Sequence, residues 1–211
     1  GNTRQNKPSF CKFSENADVV LKSSVNQDNA KAEFEIMKKL NHKNIVKVID
    51  SITFNYKDCM YFGFTMKYFA NGDLDSFIKT KASEEQLSWT ETEALRLIVQ
   101  LIAGVSYLHE NEIIHRDIKP SNIFLGNENQ LVLGDFGISD SLQTTRMTRI
   151  VGTDHYLPPE AIEELEEETL TFARDIWSTG VVIFMLSYLK HPFVVPSRMR
   201  TMVNICEGSV R

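Results

Sequence analysis

Residues 115 to 122 read His-Arg-Asp-Ile-Lys-Pro-Ser-Asn, and thirteen residues after Asn122 comes Asp135-Phe136-Gly137. The two stretches place a carboxylate, a lysine and an amide on one short segment and a second carboxylate on another. Moving a phosphoryl group from a nucleotide to a hydroxyl needs this set. A carboxylate orients the hydroxyl and takes its proton, a carboxylate and an amide oxygen hold Mg²⁺, and a cation stands by the transferring phosphate. Six fixed positions in the first stretch make a chance match on the order of one in 10⁷ to 10⁸ per start site, and the second stretch lowers it further. Asp-Phe-Gly alone is most often a turn; the pair together is specific.

The elements that would position these groups can be read from period and punctuation. Phe10, Lys12 and Val19-Val20-Leu21-Lys22 read as two strands joined by a turn at Ser14-Glu15-Asn16. Asp28 or Asn29 is the expected cap of a helix running to about Leu40, with Phe34, Met37 and Leu40 at helical spacing and Lys38 and Lys39 in the last turn. Strands follow near 45–54 and 59–66. After Asn71-Gly72 the pattern becomes helical. Thr90 and Glu93 form a capping box, and Leu95, Ile98, Val99, Ile102, Val105 and Leu108 are expected to make one buried stripe. Short strands are expected near 123–125 and 131–133, then a long aperiodic segment over 135–160. Ile176 to Leu189 is apolar nearly all round, as a helix buried in the centre of a lobe would be. The expectation is an α+β, two-lobed molecule: a small β-rich part with one helix over 1–66, a connector at 67–71, and a larger helical part over 72–211.

Bulk composition bounds the rest. The chain has 211 residues, 42% hydrophobic and 24% charged, with a net charge of −5. It is long enough for a substantial core, and the negative balance argues against nucleic acid as a partner. Cys11, Cys59 and Cys206 are odd in number and widely spaced, with neither a disulfide framework nor zinc spacing, which suits a reducing compartment. No leading apolar segment carries a cleavage pattern, and the longest apolar run, Val181 to Leu186, is too short for a bilayer, so no membrane insertion is expected.

From about residue 9 to its end the chain resembles a eukaryotic protein kinase of the serine/threonine type, the pattern marked by a lysine two residues after Asp117 and then Pro120. The resemblance implies ATP and Mg²⁺ as cofactors and protein serine and threonine hydroxyls as acceptors. It implies Asp117 as base, Lys119 beside the γ-phosphate, and Asn122 and Asp135 as metal ligands. Lys22 would meet the α- and β-phosphates, with Glu33 as its helix partner and Glu35 as the competing choice. Val20 stands where alanine is usual and should crowd the adenine slightly. Met66 would lie behind the adenine, Lys67 to Ala70, Phe69 included, would read it through backbone groups, and Phe124 would be the apolar floor beneath it. His115 and Phe136 are read as packing residues, and Asp175, with Trp177 opening the central helix, as the carboxylate that holds the His-Arg-Asp backbone. Gly152-Thr153 and Pro158-Pro159-Glu160 resemble the end of an activation segment, where Thr153 would touch the catalytic loop.

Within the family, Met66-Lys67-Tyr68, Asn71-Gly72-Asp73-Leu74, Asn122 to Leu125, Leu133 to Gly137 and Ile205-Cys206-Glu207-Gly208 resemble the NIMA-related (Nek) group; Ile118 and Ser139 fit the group that phosphorylates other kinases. Three departures stand out. No Gly-x-Gly-x-x-Gly precedes Lys22, so the chain begins inside that loop or the loop is degenerate. Arg149 occupies the usual phosphoacceptor position, with Thr148 beside it and Thr144 and Thr145 upstream: either phosphate on Thr148, from an activating kinase or autophosphorylation, pairs with Arg116, or no phosphate switch exists. The chain stops at Arg211, where the family continues with further helices, one carrying an arginine for Glu160, so it is expected to be truncated at both ends. The glutamates 163, 164, 166, 167 and 168 are either solvated surface or a preference for basic residues around the target hydroxyl. A kinase-fold ATP-binding scaffold with little turnover and a small-molecule phosphotransferase are the alternatives. A cytoplasmic location is expected, with the nucleus equally compatible.

Overall fold

The computed structural model describes residues 9–12, 19–83, 89–136, 140–141, 154–162 and 171–210; for 9–12, 140–141 and residue 154 it describes the backbone alone. A four-stranded antiparallel sheet forms first. Its strands are β1 (Ser9–Lys12), β2 (Val19–Ser24), β3 (Val48–Tyr56) and β4 (Cys59–Lys67), in the order β1-β2-β4-β3. Helix α1 (Gln27–Lys38) packs on this sheet, where Phe34 meets the rings of Phe62 and Phe64 at 6.0 Å each. The second part is helical: α2 (Leu74–Ser83), α3 (Glu91–Glu110), α4 (Pro159–Ile162), α5 (Phe172–Tyr188) and α6 (Arg198–Glu207). Short strands β5 (Ile113–Ile114), β6 (Ile123–Leu125), β7 (Leu131–Leu133) and β8 (Asp140–Ser141) pair as β5-β8 and β6-β7, as expected for 123–125 and 131–133.

Four expectations need correction. The cap of α1 is Asn26, whose side chain accepts the Asn29 N–H at 3.3 Å; Asp28 instead falls in the first turn, where it suits the helix dipole. Ile45 and Val46 are not strand residues of the first sheet. The Val46 N–H donates to the Leu133 carbonyl and the Leu133 N–H to the Asn44 carbonyl, both at 2.8 Å, which ties the small part to β7 of the large one. In α3 the capping box of Thr90 and Glu93 is present, but the buried face runs through Ala94, Leu97, Ile98, Leu101, Gly104, Val105 and Leu108. Leu95, Val99 and Ile102 are 50%, 62% and 46% exposed. Ile98, Val105 and Leu108 of the expected stripe are thus buried, and the face is rotated toward Leu97, Leu101 and Gly104. A Cβ there would lie 3.1 Å from the Asn44 carbonyl oxygen, so the glycine lets that loop approach the helix. Finally, α5 is not buried all round, since Ile176 and Tyr188 face out.

The core runs without a break from α1 and the first sheet through Ile45, Leu133 and α3 to α5 and α6. The turn Ser14-Glu15-Asn16 and the segments 84–88, 137–139, 142–153 and 163–170 lie outside the described residues.

Candidate active site

In a strand, residues two apart share a face. Val20 and Lys22 of β2 therefore lie on one side, opposite Met66 and Phe64 of β4, and that side faces α1. Lys22 is 3% exposed there, and its buried ammonium would be costly without partners. Two carboxylates surround it: Glu33 of α1 at 2.6 Å and Asp135 at 2.5 Å. Glu35, the competing choice, is exposed on the far side of the helix. Burial alone would push the Lys22 ammonium toward neutrality, but Asp135 and Glu33 outweigh it and hold its pKa above the ordinary value. One cation cannot fully compensate two acids, one buried and one partly exposed. Glu33 takes the imbalance: burial raises its pKa and the Asp135 charge adds to this, against the Lys22 ammonium and a Phe136 backbone N–H that favour the ionised form. Asp135, also opposed by burial, is held below the ordinary carboxylate value chiefly by Lys22.

The second cluster lies between β5 and β6. Asp117 accepts from Lys119 Nζ at 2.7 Å on Oδ2, and the same oxygen accepts from Asn122 Nδ2 at 2.8 Å. Asn122 Nδ2 also reaches the Asp117 carbonyl at 2.8 Å. Both groups are held by the backbone: Asn122 N–H donates to Lys119 O at 2.9 Å, and Gly134 N–H donates to Asn122 O at 2.9 Å, which joins this segment to the one bearing Asp135.

Arg116 and Asp135 both adopt left-handed backbone conformations, with φ of +67° and +60°. For non-glycine residues this costs roughly 1–2 kcal/mol each and needs surrounding structure to hold it. At Arg116 the support is Asp175 at the start of α5, fully buried. Its Oδ1 accepts the Arg116 N–H at 2.8 Å, and its Oδ2 accepts the His115 N–H at 2.7 Å and lies 3.0 Å from His109 Nε2. Burial opposes the Asp175 charge, but these donors keep its pKa lowered. His115 Nε2 donates to the Gly134 carbonyl at 3.0 Å and its Nδ1 accepts the Asp117 N–H at 3.3 Å, while its ring lies 4.8 Å from that of Phe136. His115 is thus a buried strut between the two motifs, as its reading as a packing residue anticipates.

At the end of β4, Met66 is buried, Lys67 is exposed and Phe69 is half-buried. Phe69 stacks on Phe124 of β6, centroids 5.4 Å apart and planes within 6°. Past the connector, Gly72 has φ +75°, a conformation that favours glycine, and its carbonyl accepts the Leu125 N–H at 3.0 Å. Thr153, Thr148 and the glutamates 163 to 168 lie outside the described residues. Sequence reading missed His109, whose only signal is its place in the last turn of α3, and Gly134, which carries no chemistry of its own.

The protein kinase domain model matches residues 3–210. The chain is 33% identical over 199 residues to G2-specific protein kinase fin1 of Schizosaccharomyces pombe, covering 84% of this chain and 27% of that protein. It is 32% identical over 208 residues to serine/threonine-protein kinase Nek3 of Mus musculus (91% and 39%), and 34% identical over 181 residues to Nek11 of the same organism (85% and 27%). The chain thus spans between about a quarter and two fifths of the length of these relatives. With the family match running almost end to end over a two-part fold that joins Lys22, Glu33 and Asp135, the chain belongs to the protein kinase domain family.

Proposed function

We propose that this chain transfers the γ-phosphoryl group of ATP to serine and threonine hydroxyls of proteins, as a Nek-like kinase. One observation carries the reading: Lys22 bridges Glu33 of the small part and Asp135 of the large part, at 2.6 and 2.5 Å. The bridge sets a buried cation next to a carboxylate whose pKa is lowered, beside the Asp117, Lys119 and Asn122 cluster.

The donor set fits a hard cation. Asn122 commits its amide nitrogen to Asp117, so its oxygen remains for a metal, and Asp135 supplies a partly exposed carboxylate. Among the described residues no group of three or more His, Cys, Asp or Glu could hold a metal ion alone. That suits Mg²⁺, which takes one or two protein oxygens and keeps waters and phosphate oxygens for the rest. When bound, Mg²⁺ would neutralise charge on the transferring phosphate. Asp117 would accept the hydroxyl proton, aligned by Asn122, with Lys119 against the γ-phosphate. Val20, Met66, Phe69 and Phe124 would enclose the base and the backbone of 67–70 would read its edge, with the small lobe at 1–66 and the large one at 72–211. Thr153 would meet the catalytic loop, and phosphate on Thr148 would order the following segment through Arg116. Acceptors in a basic context would suit the glutamates at 163–168. Among the described residues no helix is long and apolar enough to cross a membrane; a cytoplasmic or nuclear setting fits the exposed thiol of Cys59.

The test is transfer of labelled phosphate from ATP with Mg²⁺ to a generic serine/threonine substrate, with Asp117→Asn and Lys22→Met in parallel and EDTA as control. Removing the base or the phosphate contact should lower the rate roughly 10²-fold or more. Folded protein that binds ATP yet transfers nothing would overturn the kinase reading in favour of a nucleotide-binding scaffold.

A further inference from the structure

We infer that Gly134 is a positioning residue for nucleotide binding: it is glycine because the Phe124 ring occupies the space of its missing side chain, and it thereby sets the Phe124–Phe69 aromatic pair against the base. The inference rests on the ATP reading above. Backbone conformation does not explain the glycine, since Gly134 lacks the positive φ seen at Gly72 and Gly208. Space does. A Cβ on Gly134 would lie 2.9 Å from Phe124 Cε2, 3.3 Å from Cδ2 and 3.2 Å from Val46 Cγ2. No real Cβ tolerates the first of these, so something must give.

What gives is set by how each piece is held. Gly134 cannot retreat, because its N–H is bonded to Asn122 O and its carbonyl to His115 Nε2. The Phe124 backbone is fixed by pairing with Val132 and by a bridge to Asp73. Its neighbours Ile123 and Leu125 are buried on the other face of β6. The ring is therefore the mobile part, and the ring it leans on is Phe69, 5.4 Å away and parallel. A methyl at 134 pushes on the edge of the Phe124 ring and so disturbs its stacking on Phe69, the pair against which the base would lie. The same backbone leads directly into Asp135, so a single glycine fixes both the height of the aromatic floor and the approach of the carboxylate.

The experiment is a double-mutant cycle read by binding of a fluorescent ATP analogue (mant-ATP), which needs no turnover, on wild type, Gly134→Ala, Phe124→Leu and the double variant. Overpacking a site held on all sides should weaken mant-ATP binding about tenfold in Gly134→Ala. In the Phe124→Leu background the same substitution should change binding less than twofold, because the ring it strikes is gone. In steady state, KM for ATP should rise in Gly134→Ala while KM for the acceptor peptide stays within twofold, which a general loss of structure would not produce. Equal losses in both backgrounds, unchanged binding in Gly134→Ala, or a rise in peptide KM alone would overturn the inference while leaving the ATP reading intact. Wild type that fails to bind mant-ATP would overturn both. If Gly134→Ala does not fold, a double variant that folds and binds like Phe124→Leu supports the inference, and one that does not fold overturns it.

Discussion

At the scale of single residues, buried charge and buried imidazole decide how the molecule responds to its surroundings. Lys22, Glu33 and Asp135 form a triad with one more acid than base, so proton uptake at Glu33 and proton loss at Asp135 are favoured together. His191 shows the same logic with a readable pH window. Its Nδ1 accepts the N–H groups of Phe193 at 3.1 Å and Val194 at 3.3 Å, its ring lies 5.3 Å from Tyr156 and 6.0 Å from His155, and burial first and the His155 charge second lower its pKa from 6.5 to about 4. The folded state therefore holds fewer protons than the unfolded state between these values, and stability falls as pH drops through 6.5 toward about 4. His191→Asn keeps an acceptor for the two N–H groups without the titration. Urea midpoints taken across this range should fall less steeply in the variant than in wild type; parallel slopes would refute the assignment.

Elements behave according to which face they bury rather than how apolar they are. Helix α3 carries two apolar stripes, and only the one containing Leu97, Leu101, Val105 and Leu108 reaches the core. Truncation should separate them. Leu101→Ala, at a position with no solvent exposure, should cost about 2–5 kcal/mol, whereas Val99→Ala, 62% exposed, should stay within about 0.5 kcal/mol. Equal losses in chemical denaturation would mean that the outer stripe is covered in solution. The cap matters as well: Thr90 Oγ1 accepts the Glu93 N–H while Glu93 returns to the Thr90 N–H at 2.8 Å, so the start of α3 is set by the side chains that mark it in the sequence.

For the whole molecule, the two parts are coupled by more than the connector. Val46 and Asn44 bond to Leu133, Asn44 Nδ2 reaches the Leu131 carbonyl at 2.7 Å, and Tyr107 of α3 accepts the Asn41 N–H while stacking on His42 at 4.9 Å. With one continuous core, unfolding should be a single cooperative transition. Far-ultraviolet circular dichroism follows both parts, and the fluorescence of Trp89 and Trp177 follows the helical one; the two melting curves should coincide. Separated midpoints would show that the small part unfolds independently.

The sequence by itself determined the family and most of the order of the elements. Asp117, Lys119, Asn122 and Asp135 are legible because the two family motifs that carry them specify both residue type and spacing. β6, β7, the capping box of α3 and the strand at β2 are legible because short-range sterics and hydrogen bonding set them. Tertiary structure alone decided matters that depend on distance through space. It placed Glu33, already favoured over Glu35 by position, against Lys22, because two residues along a helix point about 200° apart, one toward Lys22 and the other toward water. It moved Ile45 and Val46 from the first sheet to β7, because their backbone groups find partners across the molecule. It kept Ile98, Val105 and Leu108 of the expected α3 stripe buried but rotated the face toward Leu97, Leu101 and Gly104, leaving Leu95, Val99 and Ile102 outside, because Gly104 admits the neighbouring loop. It gave Gly134 a role that no local pattern carries, because a glycine's function there is the volume it leaves to a ring ten residues earlier in the chain.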